Sequence, residues 1–151
     1  MKEIEILEKS CFALVDKSKK VQEFQKTLDM DVTPFDYVEE ARQNMMYRAQ
    51  LWRALHEWQE LIDSWKTSPF EMIDVNEISN KSDLYTKTVI RCERNIKPEG
   101  TSAVVRLKKL VFDFRETMPI VEALGNKNLK AEHWEDIKRI LNIPDFRLED
   151  L

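Results

Sequence analysis

The chain has 151 residues and a mass of 18.0 kDa, with 42% hydrophobic and 34% charged residues, a net charge of −4 and only two glycines, Gly100 and Gly125. Abundant Glu, Lys and Arg with almost no Gly is helix-forming composition, since Gly costs about 1 kcal/mol in a helix interior. It excludes a turn-rich all-β or dinucleotide-binding fold, and the acidic balance argues against a nucleic-acid partner.

The amino terminus, MKEIEILEKS, is too charged for a signal peptide, and no apolar run reaches the roughly 18 residues of a membrane span. The expectation is a soluble, intracellular chain with no membrane partner. Cys11 and Cys92 lie far apart without a CxxC pattern, which suits free thiols in a reduced compartment.

In chain order, the first predicted helix covers about residues 2 to 28. Ile4, Leu7, Cys11, Leu14, Val21, Phe24 and Leu28 mark one stripe, interrupted at Ser18. Asp29 to Thr33 breaks the pattern. Thr33-Pro34 is a helix-start signal, because Thr caps free amides and Pro suits the first helical position. From there nothing stops the chain before Thr67-Ser68-Pro69. Val38, Met45, Trp52, Leu55, Ile62 and Trp65 share one side, widened by Leu51 and Trp58.

Asp74 with Glu77 reads as a capping box opening a third helix to about Asn95, apolar at Val75, Ile78, Tyr85, Val89, Cys92 and Ile96. Lys97-Pro98-Glu99-Gly100 is the next loop, and Thr101 or Ser102 caps a fourth helix. Val104, Leu107, Val111, Phe114 and Met118 follow at steps of 3, 4, 3 and 4. Pro119 predicts a kink or break, and Gly125 a left-handed cap. A last helix, about Leu129 to Leu141, carries Trp134, Ile137 and Leu141 before Pro144. These elements make one all-α domain over residues 1–151, an elongated antiparallel bundle of four to five helices. The stretch from Pro144 to Leu151 has no obvious partner, as in a segment cut from a longer chain.

A search for chemistry returns little. No GxxxxGK[ST] phosphate cradle is present, and His56-Glu57 lacks a second His at metal-ligand spacing. His133 is flanked by Glu132 and Glu135, but sequence neighbours on a helix point about 100° apart and do not converge on a substrate. Both cysteines fall on apolar stripes, where a thiol is an inert small hydrophobe. No catalytic residue, cofactor or metal is expected. Trp52, Trp58, Trp65 and Trp134 stand out instead, either as packing anchors or, where partly exposed, as anchors for a neighbouring domain.

Two stretches carry a family resemblance. LWRALHEWQELIDSWKTSPFEMID, Leu51 to Asp74, resembles the start of the second conserved amino-terminal region of dynein heavy chains. MPIVEALGNKNLKAEHWEDIKRIL, Met118 to Leu141, is similar to that region's pattern "lPli..L.np.lr.RHW..i". Pro119, Leu124, Asn126, Leu129, His133, Trp134 and Ile137 match it, whereas Lys127 stands for Pro and Glu132 for Arg. The resemblance spans roughly residues 38 to 141 and leans towards axonemal inner-arm chains. It implies a non-catalytic part of the linker, a helical rod that bends over a ring of AAA+ modules and moves the tail. The implied partners are the remainder of the same heavy chain, ring and tail, and other dynein subunits. The isolated chain is then expected to be monomeric, in the cytoskeleton of a cilium or flagellum. Its interface or packing residues are Trp52, Trp58, Trp65, Pro119, His133 and Trp134. A spectrin-type helical scaffold, which also places tryptophans on heptad-like stripes, is the alternative.

Overall fold

The computed structural model describes residues 1–68, 73–96, 101–126 and 128–142. Pro69, the loop of residues 97–100, Lys127 and the stretch from Pro144 onward lie outside the described residues. Five α-helices and no strand occur among the described residues: α1 (Lys2–Thr27), α2 (Asp36–Thr67), α3 (Val75–Asn95), α4 (Ser102–Leu124) and α5 (Ala131–Leu141). The all-α expectation holds. None of these helices is long and apolar enough to cross a membrane.

Three of them form the core. Tyr85 of α3 reaches Glu57 of α2, and Cys92 reaches Tyr47, so α2 and α3 run antiparallel. Lys108 of α4 pairs with Glu93 and Arg115 with Asp83, which sets α3 and α4 antiparallel as well. The apolar residues of α3 and α4 are buried much as their spacing predicts: Ile78, Val89 and Cys92 against Val104, Leu107, Val111 and Val121. On α2 the centre of the buried face is shifted. Leu51, Ala54, Trp58 and Trp65 are buried, whereas Trp52 is 50% exposed. Leu51 and Trp58, which only widen the stripe in the sequence, lie at its centre, with Ala54 beside them in the core cluster.

α1 departs further from expectation. It packs chiefly on α2, and of its residues only Val15 is buried. The residues turned inward are Ile4, Glu8, Cys11, Val15, Ser18, Gln22 and Gln25, at steps of 4 and 3. The apolar stripe is thus rotated out: Leu7, Leu14, Val21, Phe24 and Leu28 are exposed. Polar tethers fix this phase. Glu8 and Arg53 form an ion pair, Gln22 Nε2 donates to the Thr33 carbonyl at 3.0 Å, and Gln25 Nε2 donates to Thr33 Oγ1 at 2.7 Å. Ser18, the apparent interruption, lies on the packed side, its hydroxyl donating to the Val15 carbonyl.

The termini show where local signals were reused. Thr33-Pro34 does not open α2, which begins at Asp36 after an N-cap at Phe35; Thr33 clasps the end of α1 instead. Asp74 caps α3, its carboxylate accepting from the Asn76 amide at 2.9 Å and the Glu77 amide at 3.4 Å. Thr101 is the N-cap residue of α4, but its hydroxyl is buried without a partner among the described residues. Pro119 does not break α4, which continues to Leu124. Gly125 is not left-handed, with φ at −76°. A Cβ there would meet Val75 Cγ2 at 2.3 Å, so the glycine serves close approach of α4's end to the start of α3. Among the described non-glycine residues the left-handed positions are Asp29, in the predicted break, and Asn142, which ends α5.

Candidate functional site

The densest chemistry in the molecule is an aromatic cluster where α2, α3 and α4 meet. Trp58 is 1% exposed and lies edge-on to Trp65 (centroids 6.1 Å) and Phe114 (5.5 Å), tilted against Tyr85 at 5.2 Å. Trp65 stacks on Phe114 at 5.6 Å. Buried aromatic pairs each add about 0.5–1.5 kcal/mol beyond area burial, so four rings from three helices tie those helices into one unit.

The cluster's polar edge is satisfied without a catalytic arrangement. The Tyr85 hydroxyl donates to Glu57 at 3.0 Å. Burial, reinforced by that hydrogen bond and the Glu57 charge, pushes the Tyr85 phenol well above its ordinary range. The phenol therefore serves as a neutral donor. Burial likewise raises the Cys92 thiol, the opposite of what activates a nucleophile. Cys92 Sγ lies 3.7 Å from the Tyr47 carbonyl.

Neither histidine meets a cysteine. His56 is exposed and faces Glu60, one turn along α2, at 3.5 Å. His133 is exposed at the start of α5, where its Nδ1 accepts from the Lys130 amide at 3.0 Å. That bond satisfies a donor which a helix N-terminus would otherwise leave free, so the ring acts as a cap. Among the described residues no group of three or more His, Cys, Asp or Glu could hold a metal ion.

The stretch around His133 forms a corner. Leu124 and Trp134 pack against the core, Gly125 abuts Val75, and Asn126 Oδ1 accepts from the Asn128 amide at 3.0 Å in an Asx turn. Pro119 is exposed on α4, and Glu132 is exposed beside His133. The six singled-out residues thus separate. Trp58 and Trp65 sit in the core, Trp134 is half-buried beside it, and Pro119, His133 and Trp52 lie at the surface.

Three features escaped sequence reasoning. In the sequence Phe114 and Tyr85 are helix-face positions, with no sign that they meet the tryptophans. The exposed face of α1 was also hidden, because α1's stripe reads as a core stripe. The Glu8–Arg53 pair, 45 residues apart in sequence, leaves no local signal.

Comparison with known proteins supplies what the geometry does not. The family model described as "Dynein heavy chain, N-terminal region 2" matches residues 38–151. A human protein, dynein axonemal heavy chain 6, is 29% identical over 119 residues, covering 79% of this chain and 3% of that protein. The dynein-1-beta heavy chain of the flagellar inner arm I1 complex from Chlamydomonas reinhardtii is 26% identical over 108 residues, covering 68% of this chain and 2% of its own length. Human dynein axonemal heavy chain 1 is 20% identical over 121 residues, with 79% and 3% covered. The chain therefore spans only a few hundredths of the length of these relatives. No solved structure matches.

Proposed function

The chain belongs to the dynein heavy chain family, as its N-terminal region 2, and on that premise we propose that it is a stiff, non-catalytic element of the motor's linker. In this reading residues 1–151 form one helical unit that carries movement from an AAA+ ring to the tail of the same heavy chain. Its partners are that ring and tail together with other dynein subunits. The axonemal and flagellar names of the relatives place the parent motor, by analogy, in the axoneme of a cilium or flagellum. Family membership removes the ground for the spectrin-type alternative, which rested on tryptophan spacing.

The observation that carries this reading is the aromatic lock. An element that transmits force must deform less than the joint that drives it, and close-packed interiors transmit strain. α2 is a rod of about 48 Å at 1.5 Å per residue, without Gly or an internal Pro. Trp58 and Trp65 fasten it laterally to α3 and α4, so bending α2 there means separating indoles from Phe114 and Tyr85. The reaction that supplies the force needs no residue of this chain.

The test is to place Trp58→Ala in a full-length parent heavy chain. Basal ATP turnover is expected to persist while microtubule gliding slows at matched turnover. Unchanged gliding would sink the mechanical role. Saturable ATP binding by the 151-residue chain alone would sink the non-catalytic one.

A further inference from the structure

We propose that the valley between α1 and α2 receives one amphipathic helix of a partner protein, apolar along a seven-residue seam and acidic on its flanks. The inference stands apart from the mechanical reading, since the valley exists whatever the parent motor does with it.

Three observations lead there. The apolar residues that α1 turns outward, Leu7, Leu14, Val21 and Leu28, recur every seven residues, and Leu7 and Leu14 are 57% and 61% exposed. On α2, Val38, Met45 and Trp52 recur at the same interval, with Val38 and Met45 half-buried and Trp52 half-exposed. The Glu8–Arg53 pair, with Gln22 and Gln25 bonded to Thr33 just before α2, runs the two helices antiparallel and brings Leu7 near the level of Trp52. Leu7 of the first series and Met45 and Trp52 of the second line one groove of about 700 Å³ together with Ile4 and Leu55, and the seven-residue steps carry Leu14 and Val38 along the same faces of their helices. Two walls with a seven-residue apolar period offer holes at the repeat of a third helix packed lengthwise, and a strand or loop would not match that spacing.

The charge on the walls selects the partner. Arg48 and Arg106 line the groove, and Glu3 is the acid that lines it. Lys17 falls three residues after Leu14 and four before Val21, on the same exposed flank. This local excess of cations occurs in a chain whose net charge is −4, so overall composition does not produce it. Carboxylates flanking the incoming seam would meet Arg48, Arg106 and Lys17. A second copy of this chain, docked valley to valley about a two-fold axis, would set those cations against themselves.

The full 151-residue chain is titrated calorimetrically with two synthetic amphipathic helices of about three heptads each. They share a leucine seam and differ in flanks, glutamate in one and lysine in the other. The glutamate helix is expected to bind one to one, at least about tenfold tighter than the lysine helix. Arg48→Glu combined with Arg106→Glu is expected to reverse that preference. Leu14→Asp alters an exposed side chain, so it is expected to weaken binding at least about tenfold with the far-UV dichroism unchanged. Equal affinity for both helices, or binding of neither, overturns the proposal. Self-association of the chain that Leu14→Asp abolishes also overturns it, by assigning the valley to a second copy.

Discussion

α1 and the α2–α4 core are both amphipathic helices of similar composition, yet only the core spends its apolar residues on burial. α3 and α4 each sit between two neighbours, and their stripes disappear into the cluster around Trp58. α1 has one main neighbour, α2, which it reaches through the Glu8–Arg53 pair, and it turns Ser18, Gln22 and Gln25 inward alongside Ile4, Cys11 and Val15. Apolar periodicity thus records that a helix has a face to cover, while the number of neighbours decides whether the chain covers it itself. In the core the hydrophobic effect sets helix rotation; on α1 a salt bridge and an amide clasp set it.

The strongest way to break this contrast is Trp58→Ala. Removing a ring that touches Trp65, Tyr85 and Phe114 is expected to cost about 3–5 kcal/mol in urea unfolding. A loss below about 1 kcal/mol, typical of surface changes, would mean that the core is not held at that ring. Native-state hydrogen exchange compares the two regions directly. Amides of α1 are expected to exchange at least about 100-fold faster than those of α3, because α1 buries little against α2. Equal protection would show one cooperative unit.

At the corner, Gly125→Ala pushes a methyl into Val75 and is expected to destabilise by about 1–3 kcal/mol. Val75→Ala in the same chain should recover part of that loss, and additive losses would refute the steric explanation. An alkaline titration tests the polar edge of the core. The folded Tyr85 phenol titrates above its unfolded value, so the unfolded chain releases its proton first and holds fewer protons above about pH 10. The stability contributed by neutral Tyr85 is complete below that pH and drains as pH rises. Tyr85→Phe should flatten the decline, and an unchanged slope would assign it to other groups. The smallest effect is expected from Trp52→Ala, below about 1 kcal/mol, since half of that indole already faces water. A cost like that of Trp58→Ala would erase the distinction between the two faces of α2.

Helix number, order and most boundaries were legible in the sequence, because capping and periodicity act over three or four residues. Asp74 caps α3 with its own carboxylate, the half of the expected capping box that its side chain supplies, and α3 ends at Asn95. The steps at Val104, Leu107, Val111, Phe114 and Met118 described one face of α4. The family resemblance was legible too, since ordered motifs over some hundred residues survive without knowledge of contacts.

What tertiary structure alone decided was the phase and purpose of those elements. Nothing local distinguishes Trp58, inside the core, from Trp52, at its surface. The choice falls to Tyr85 of α3 and Phe114 of α4, distant rings that close on Trp58. Nothing local gives Gly125 a steric reason rather than a conformational one, since Val75 lies 50 residues away in the chain. Likewise Thr33 carries a helix-start signal but bonds to Gln22 and Gln25. Local propensities are worth tenths to about one kcal/mol each, while burying a large ring or satisfying a buried pair is worth several times that. Where the two compete, distant contacts determine which way each helix turns.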